Sequence, residues 1–333
     1  MKNILVTGAT GFIGSHTSVE LLENGYNVIG IDNLYNSDKD VLSSIEYITG
    51  KSVKFYEGDI LDYSILKKIF LENNIDCVIH FAAFKAVGES VEKPLDYYYN
   101  NVSGTLNILN CMREFNCKKF IYSSSATVYD KDNPIPYLEH YKKSATSPYG
   151  YTKVMVEQIL FDIYVSDKDF SCVMLRYFNP IGAHKSGLIG ENPKGVPNNL
   201  MPYICDVAIS KREFLNVFGN DYNTVDGTGV RDYVHVVDIA RGHLEAMKYV
   251  LISKGNIGIN LGTGKGTSVL ELVECFERVS GKKINIRICG RRDGDIDEFY
   301  ADTTKAREIL GWESRFDIED MCLDSWNYIK AHI

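Results

Sequence analysis

The sequence predicts an α/β protein with a doubly wound parallel sheet and a smaller C-terminal α/β lobe. Short apolar runs alternate with helical patterns through the first half of the chain, as strands and helices alternate in parallel sheets. A glycine-rich turn separates the first apolar run from the first helical pattern. The second half contains shorter segments of both kinds, which indicates a separate and less regular lobe.

Six apolar runs in the first half are predicted strands. The first leads directly into the glycine turn and a helical pattern that ends near Asn24. A long helix is predicted over residues 95–115, and another begins at Tyr149. The predicted strands lie at residues 3–7, 27–32, 53–56, 76–81, 119–123 and 171–176.

The pattern becomes irregular after Pro180. Residues 182–199 are rich in Gly, Pro and Asn, which predicts a long ordered or ligand-ordered loop. Shorter helical and strand patterns return between residues 201 and 329. We therefore expect a nucleotide-binding domain over residues 1–180 and a substrate-binding lobe over residues 181–333, with the chain able to cross between the two.

The composition argues against several classes of function. The 333-residue chain has a formal net charge of −8, which disfavours nonspecific binding to nucleic acid or anionic membranes. No apolar run is long enough to span a bilayer, and Met1 leads into a strand-like run without a signal-peptide pattern. The eight cysteines lack Cys-x-x-Cys spacing and are predicted to be buried free thiols of a cytoplasmic protein. The histidines show no metal-ligand spacing, so no metal is expected.

Gly8, Gly11 and Gly14 lie between the first predicted strand and the first predicted helix. Glycines at this spacing permit a tight turn, close approach of the backbone to a pyrophosphate, and close packing of helix on sheet. The sequence therefore predicts a Rossmann-like dinucleotide site. Asp32 ends the second strand, where a carboxylate that binds ribose hydroxyls favours NAD over NADP. The alternative for Asp32 is a cap or turn residue.

Tyr149 and Lys153 lie four residues apart at the start of a helical pattern. On one helix face, an ammonium below a phenol lowers the pKa of the tyrosine, which can then act as acid or base near neutral pH. The hydroxyl cluster 123–125 ends the preceding strand and is expected to face the same crevice. This context distinguishes the pair from four others with the same spacing: Tyr35/Lys39, Tyr47/Lys51, Tyr63/Lys67 and Tyr164/Lys168.

These motifs resemble those of the extended short-chain dehydrogenase/reductase superfamily, in which Ser125, Tyr149 and Lys153 match the catalytic positions. Longer blocks are similar to the UDP-glucose 4-epimerase (UDP-galactose 4-epimerase) family within it, and the match covers nearly the whole chain. The blocks lie at residues 81–90, 122–129, 176–180, 197–202, 218–222 and 226–235.

The resemblance implies reversible interconversion of UDP-glucose and UDP-galactose with tightly bound NAD. In that reaction C4 of the hexose is transiently oxidised, the 4-keto sugar rotates, and hydride returns to its opposite face. Catalysis is assigned to Ser125, Tyr149 and Lys153, which also belong to the implied NAD site. The other implied NAD residues are Gly8, Gly11, Phe12, Ile13, Gly14, Asp32, Asn33, Asn36, Ser37, Asp59, Ile60, Phe81, Ala82, Ala83, Lys85, Asn100 and Phe178. The implied UDP-sugar residues are Lys85, Ser125, Tyr149, Asn179, Asn199, Leu200, Phe218, Arg231, Arg292, Asp295 and Phe299.

Phe299 stands where the family uses side-chain size to admit or exclude an N-acetyl group, and its bulk implies poor acceptance of N-acetylhexosamines. The alternatives are another NAD-dependent nucleotide-sugar epimerase or a 4,6-dehydratase of the same superfamily. A dehydratase needs an Asp-Glu pair beside the catalytic hydroxyl, whereas Ala126 and Thr127 follow Ser125. A non-enzymatic NAD-binding regulator would normally lack the tyrosine or the lysine. Relatives commonly pair through helices near 95–115 and 149–167, so a homodimer is expected.

Overall fold

The computed structural model describes residues 1–195, 197, 199–292 and 294–333, so Asn198 of the block at 197–202 lies outside the described residues. The strands are β1 (Asn3–Thr7), β2 (Asn27–Asp32), β3 (Lys54–Glu57), β4 (Cys77–His80), β5 (Lys119–Ser125), β6 (Ser171–Tyr177), β7 (Asn179–Ile181), β8 (Leu215–Phe218), β9 (Val230–Arg231), β10 (Tyr233–His235), β11 (Gly255–Leu261), β12 (Thr267–Ser268), β13 (Ile286–Cys289) and β14 (Glu298–Phe299). The helices are α1 (Phe12–Glu23), α2 (Val41–Thr49), α3 (Tyr63–Glu72), α4 (Val87–Glu92), α5 (Pro94–Tyr98), α6 (Gly104–Glu114), α7 (Pro148–Ser166), α8 (Leu200–Ala208), α9 (Val236–Ile252), α10 (Val269–Ser280), α11 (Thr304–Leu310) and α12 (Ile318–Lys330).

Seven parallel strands form the central sheet, in the order β11-β6-β5-β4-β1-β2-β3. Apolar side chains of α1 and α9 pack on one face, and those of α3, α6 and α7 pack on the other. The predicted doubly wound sheet is confirmed, and all six predicted strands belong to it. The strand order reverses between β1 and β4, and ligands of such sheets bind at the carboxyl ends of strands beside that point.

The helix predicted over residues 95–115 is present as one continuous helical segment, but one π-helical turn, Tyr99–Ser103, interrupts its α-helical hydrogen bonding between α5 and α6. Asn101 lies in this turn and is buried. Its side chain accepts a hydrogen bond from the Phe84 N–H at 2.8 Å and donates to the Phe84 carbonyl at 2.9 Å. The widened turn is thereby tied to the loop after β4. Turns of this type are frequent at functional sites.

The chain returns to the central sheet after residue 180. Strand β11 pairs with β6, and α9 packs against α1. The other late elements form a smaller lobe, in which β8 pairs with β13 and α8, α10 and α12 share an apolar cluster. Strands β12, β9 and β14, all from the second half of the chain, form a separate three-stranded sheet. Among the described helices, none has both the length and the apolar character needed to cross a membrane.

Candidate active site

The glycine turn after β1 brings the backbone close to the sheet. Gly8 has a φ of +69°, a left-handed conformation that glycine adopts without strain. A Cβ on Gly8 would lie 2.8 Å from the Ala82 nitrogen, and a Cβ on Gly14 would overlap the Gly8 carbonyl oxygen. Gly11 precedes α1 and supplies no side-chain cap, so the N–H groups at the helix start can bind phosphate. The turn therefore fits the pyrophosphate of a dinucleotide.

Asp32 organises the loop that follows β2. Its carboxylate accepts hydrogen bonds from the Thr10 N–H at 3.1 Å, the Leu34 N–H at 2.9 Å and the Ser37 hydroxyl at 3.2 Å. Asp32 thus acts as the turn residue that the alternative interpretation predicts. These bonds also hold its carboxylate beside the glycine turn, the position that a ribose-binding carboxylate occupies in this fold.

The other residues implied to bind NAD follow the carboxyl ends of successive strands. Asn33 donates to the Asp59 carboxylate at 2.8 Å, which joins the loops after β2 and β3. Asn100 lies in the π-helical turn, where its amide donates to Asn101 at 2.9 Å. The remaining residues share this edge of the sheet: Phe12 and Ile13 begin α1, Asn36 and Ser37 follow β2, Ile60 follows β3, Phe81, Ala82, Ala83 and Lys85 follow β4, and Phe178 follows β6.

Tyr149 and Lys153 lie in the first turns of α7, beside the end of β5. Ser147 caps this helix with its hydroxyl, and Pro148 occupies the first helical position. The Lys153 ammonium donates to the Ser123 carbonyl at 2.7 Å and lies 5.7 Å from the centre of the Tyr149 ring. The tyrosine and the lysine therefore share one face of the helix, as their spacing predicts.

Ser125 is the last residue of β5 and faces the same region. Its hydroxyl oxygen accepts hydrogen bonds from the Thr127 N–H at 3.2 Å and the Thr127 hydroxyl at 2.9 Å. A hydrogen bond with Ser125 also lowers the pKa of Tyr149, although burial has the larger effect. The three residues predicted to be catalytic therefore meet where β5 ends and α7 begins.

Burial controls the ionisation of Tyr149 and Lys153. It raises the pKa of Tyr149 to about 12. It also lowers the pKa of Lys153 to about 7, against the raising influence of Glu157. The prediction that the ammonium lowers the tyrosine pKa is therefore wrong for the chain by itself, because desolvation disfavours the charged form of both groups. Phenolate at neutral pH requires a further positive charge in the crevice.

The other four Tyr/Lys pairs lack this environment. Three of their tyrosines are exposed to solvent: Tyr35, Tyr47 and Tyr63. In the fourth pair the Lys168 ammonium lies 4.2 Å from the centre of the Tyr164 ring, near the far end of α7. Lys153 has only 3% of its surface exposed. Position at the end of a central strand and burial of the lysine, not spacing, distinguish Tyr149/Lys153 from the other four pairs.

Two arginines and one carboxylate meet in the smaller lobe. Arg231 Nη2 lies 3.4 Å from one oxygen of Asp295, and Arg292 Nε donates to the other at 3.1 Å. The Arg292 guanidinium lies over the Phe218 ring, 4.8 Å from its centre. The structure therefore brings together four residues implied to bind UDP. Two guanidinium groups so placed can bind a diphosphate through paired hydrogen bonds.

Phe299 packs in an aromatic cluster. Its ring centre lies 4.9 Å from that of Phe178 and 4.5 Å from that of Tyr137. Phe178 belongs to the implied NAD site. Phe299, which is implied to limit hexose size, therefore packs against a residue implied to bind NAD. Asn179 begins β7 next to Phe178, and Leu200 begins α8.

The described part of the loop at 182–199 contacts both sides of the site. Glu191 Oε1 accepts hydrogen bonds from Lys85 Nζ at 3.0 Å and from Asn199 Nδ2 at 2.6 Å. The Lys194 N–H donates to Asn36 Oδ1 at 3.0 Å. Sequence reasoning does not identify Glu191 or Lys194, because a charged residue in a Gly- and Pro-rich loop carries no periodic or spacing signal.

Comparison with known proteins agrees with this geometry. A family model described as GDP-mannose 4,6 dehydratase matches residues 5–325. The UDP-glucose 4-epimerase of Bacillus subtilis (strain 168) is 53% identical over 330 residues, which cover 99% of this chain and 97% of the relative. That of Dictyostelium discoideum is 52% identical over 326 residues, which cover 98% of this chain and 95% of the relative.

Solved structures show the same similarity. A crystal structure of UDP-glucose 4-epimerase from Bifidobacterium longum in complex with NAD+ and UDP superposes with a TM-score of 0.96 at 49% identity, and the match covers 99% of this chain and 98% of the other. A UDP-glucose-4-epimerase from Stenotrophomonas maltophila with bound NAD and formylated UDP-arabinopyranose gives a TM-score of 0.98 at 46% identity, with 100% and 99% coverage. On sequence and structure together, this chain belongs to the UDP-glucose 4-epimerase family, within the wider family that the GDP-mannose 4,6 dehydratase model describes.

Proposed function

We propose that this protein interconverts UDP-glucose and UDP-galactose with tightly bound NAD. The observation that carries the proposal is the pair of a half-buried Tyr149 and a buried Lys153, which lies at the carboxyl edge of the sheet that also carries the glycine turn. The names of relatives that are about half identical over nearly the whole chain support it. A homologous structure with NAD+ and UDP supports the choice of ligands.

The protein's own residues transfer the proton of the hexose 4-hydroxyl twice, once away from the sugar and once back to it. Tyr149 takes the proton from the hexose 4-hydroxyl, and Ser125, which lowers the pKa of Tyr149, shares it. Lys153 holds a positive charge below the phenol. When bound, NAD supplies the acceptor that removes the C4 hydride and returns it. After the 4-keto sugar has turned about its diphosphate link, Tyr149 returns the proton, so the phenol serves as base for one face and acid for the other.

UDP must be held firmly while the hexose turns. Arg231 and Arg292 are the residues for this task, because each can bind a phosphate through several N–H groups. The Asp295 carboxylate contacts both arginines, so a diphosphate has to compete with it for their N–H groups. We assign Asn179, Asn199, Leu200 and Phe218 to the same ligand. Residues 1–180 supply most of the NAD site, and residues 181–333 supply most of the UDP site.

A 4,6-dehydratase is the other enzyme class to weigh, given the description of the matching family model. Elimination needs a carboxyl group beside the catalytic hydroxyl. The neighbour of Ser125 in space is Thr127, which donates its hydroxyl hydrogen to the serine oxygen. A threonine at this position cannot serve as the acid at neutral pH, so the epimerase is favoured.

We also propose a cytoplasmic homodimer. Five partly apolar side chains are exposed on neighbouring helices: Val87 and Val91 of α4, Leu95 of α5, and Tyr151 and Met155 of α7. Helices α4 and α5 both pack against α7, so these side chains form one face. Contiguous exposed apolar surface of this kind marks an interface. The change Leu95→Glu should convert a dimer into a monomer in light scattering, and an unchanged mass would remove this face from consideration.

The proposed activity is tested with purified protein and no added cofactor. UDP-galactose is supplied, the reaction is stopped, and the UDP-glucose formed is then oxidised in a separate step by a UDP-glucose-specific dehydrogenase with its own added NAD, whose NADH product is measured. Steady formation of UDP-glucose is expected, because NAD is regenerated in every turnover. Folded protein that contains NAD but forms no UDP-glucose would refute the proposal. A parallel assay of UDP-N-acetylgalactosamine measures the selectivity expected from Phe299.

A further inference from the structure

A buried ion pair lies one helical turn beyond Lys153, and the reaction described above does not use it. Glu157 Oε1 accepts hydrogen bonds from Ser124 Oγ at 2.7 Å and Arg176 Nε at 2.9 Å. Its Oε2 accepts from Arg176 Nη2 at 2.7 Å and Lys143 Nζ at 3.2 Å. The side chains of Glu157 and Arg176 are 0% and 4% exposed.

The second side of Arg176 is also occupied. Its Nη1 donates to the Tyr129 hydroxyl at 2.9 Å and to the Glu139 carbonyl at 2.9 Å. Tyr129 in turn donates to Asn260 of β11. Through Ser124, Arg176 and Asn260, the cluster therefore links α7 to strands β5, β6 and β11 of the central sheet. A buried ion pair is often no more stabilising than an apolar replacement, so its presence calls for another explanation.

The position of Glu157 supplies that explanation. Ser123, Ser124 and Ser125 are consecutive at the end of β5. The first binds Lys153 through its carbonyl, the second binds Glu157 through its hydroxyl, and the third is the catalytic hydroxyl. Lys153 and Glu157 are four residues apart, so they lie on one helix face. Strand β5 is thus joined to α7 at two successive residues, directly before Ser125.

We propose that Glu157 is a positioning residue for the epimerase reaction: it fixes the end of β5 against α7 and places a negative charge one helical turn from Lys153. The proposal rests on the function proposed above. Glu157 touches neither substrate nor cofactor in this scheme. It acts through Ser124 on the placement of Ser125, and through its charge on Lys153.

The charges around Lys153 support this role. The groups that face its ammonium are the Tyr122 ring at 5.0 Å, the Tyr149 ring, His80 and Glu157. Burial lowers the pKa of His80 to about 3, so this histidine is neutral. Glu157 raises the pKa of Lys153 against the larger effect of burial. A neutral residue at position 157 would therefore make the ammonium lose its proton at lower pH.

Glu157 itself is ionised. Burial opposes its charge, but Arg176 and Lys143 hold the pKa of its carboxyl below the ordinary value. The other groups that face it are the Ser124 hydroxyl and, across Arg176, the Tyr129 hydroxyl. Arg176 balances much of its charge in the interior. Lys143 is about one-third exposed, so solvent screens its contribution.

The test is the pH dependence of turnover in the NAD-containing enzyme, once the wild type has shown the proposed activity. In Glu157→Gln, kcat should fall, KM should change little, and the alkaline limb of the kcat profile should move down by about one pH unit. A general loss of structure would lower activity at every pH without moving the limb. Lys143→Met is the matched control, because it removes a positive partner of the same carboxylate. The alkaline limb of the kcat profile of Lys143→Met should stay at the wild-type pH or move to higher pH.

A second variant keeps the proposal testable if Glu157→Gln does not fold, since an unpaired buried Arg176 is strongly destabilising. Ser124→Ala removes the contact to β5 and leaves every charge in place. It should lower kcat by about tenfold at unchanged KM and with an unmoved pH profile, because one hydrogen bond is lost near the reacting hydroxyl. Normal kcat in Ser124→Ala would overturn the positioning role. A folded Glu157→Gln with an unmoved alkaline limb would overturn the electrostatic role.

Discussion

Replacement of Tyr149 by Phe removes the phenol and leaves the ring and the helix in place. Burial raises the pKa of Tyr149 to about 12. At pH 7.5 a phenol with that pKa is ionised in only about one molecule in 30,000, so the bound ligands must favour the phenolate for the reaction to proceed. Without the hydroxyl, the hexose proton has no positioned acceptor. We expect kcat to fall by about 10²–10⁴-fold, the usual contribution of a general acid–base group.

That fall corresponds to an increase of about 3–5 kcal/mol in the activation barrier. The NAD content should stay normal, because the glycine turn and the Asp32 loop lie on other strands and are untouched. The coupled UDP-galactose assay measures kcat, and absorbance of the denatured protein's supernatant measures NAD. Tyr164→Phe is the matched control. It changes a tyrosine of the same helix that is also paired with a lysine four residues on, at the end away from the site.

The control should retain wild-type turnover within about twofold, because Tyr164 lies at the end of α7 away from the site and the change removes only its hydroxyl. If Tyr149→Phe retained more than about one-tenth of wild-type kcat, another group would have to be the base. If it lost NAD together with activity, the tyrosine would be needed to hold the cofactor, and its catalytic role would be unsupported.

Three further changes follow from the same geometry. Ser125→Ala removes the hydrogen bond that lowers the pKa of Tyr149, so the acid limb of the kcat profile should move to higher pH; an unmoved limb would contradict the contact. Gly14→Ala forces a Cβ onto the Gly8 carbonyl and should give protein without NAD, whereas Gly88→Ala, whose Cβ meets no atom within 4 Å, should bind NAD normally. Phe299→Ala opens the aromatic cluster and should raise kcat/KM for UDP-N-acetylgalactosamine relative to UDP-galactose by about tenfold, while the free energy of unfolding falls by about 1–3 kcal/mol. An unchanged ratio would show that Phe299 does not control hexose size.

The local pattern was sufficient for the strands and for the turn between β1 and α1. Buried parallel strands are short, continuous apolar runs, so residues 3–7 and 27–32 identify β1 and β2 without any knowledge of their neighbours. The glycine spacing likewise reports a local backbone requirement, as the positive φ of Gly8 shows. Periodicity also indicates the helical segment at residues 95–115 but does not reveal its π-helical turn. An apolar face changes little across one π-helical turn, so the pattern resembles that of an uninterrupted helix.

Which residues could do the chemistry can be read from the chain, because side-chain type, spacing and the end of an apolar run are local features of a sequence. The ionisation of these residues and the contacts they make depend on the tertiary structure. The pKa values of Tyr149 and Lys153 depend on desolvation, which exists only when distant segments cover them. The hydrogen bond between Ser124 and Glu157 joins residues 33 positions apart, and the pairing of β11 with β6 joins residues still farther apart. Local spacing cannot predict contacts of that kind, because the residues that meet are far apart in the sequence and are brought together only by folding.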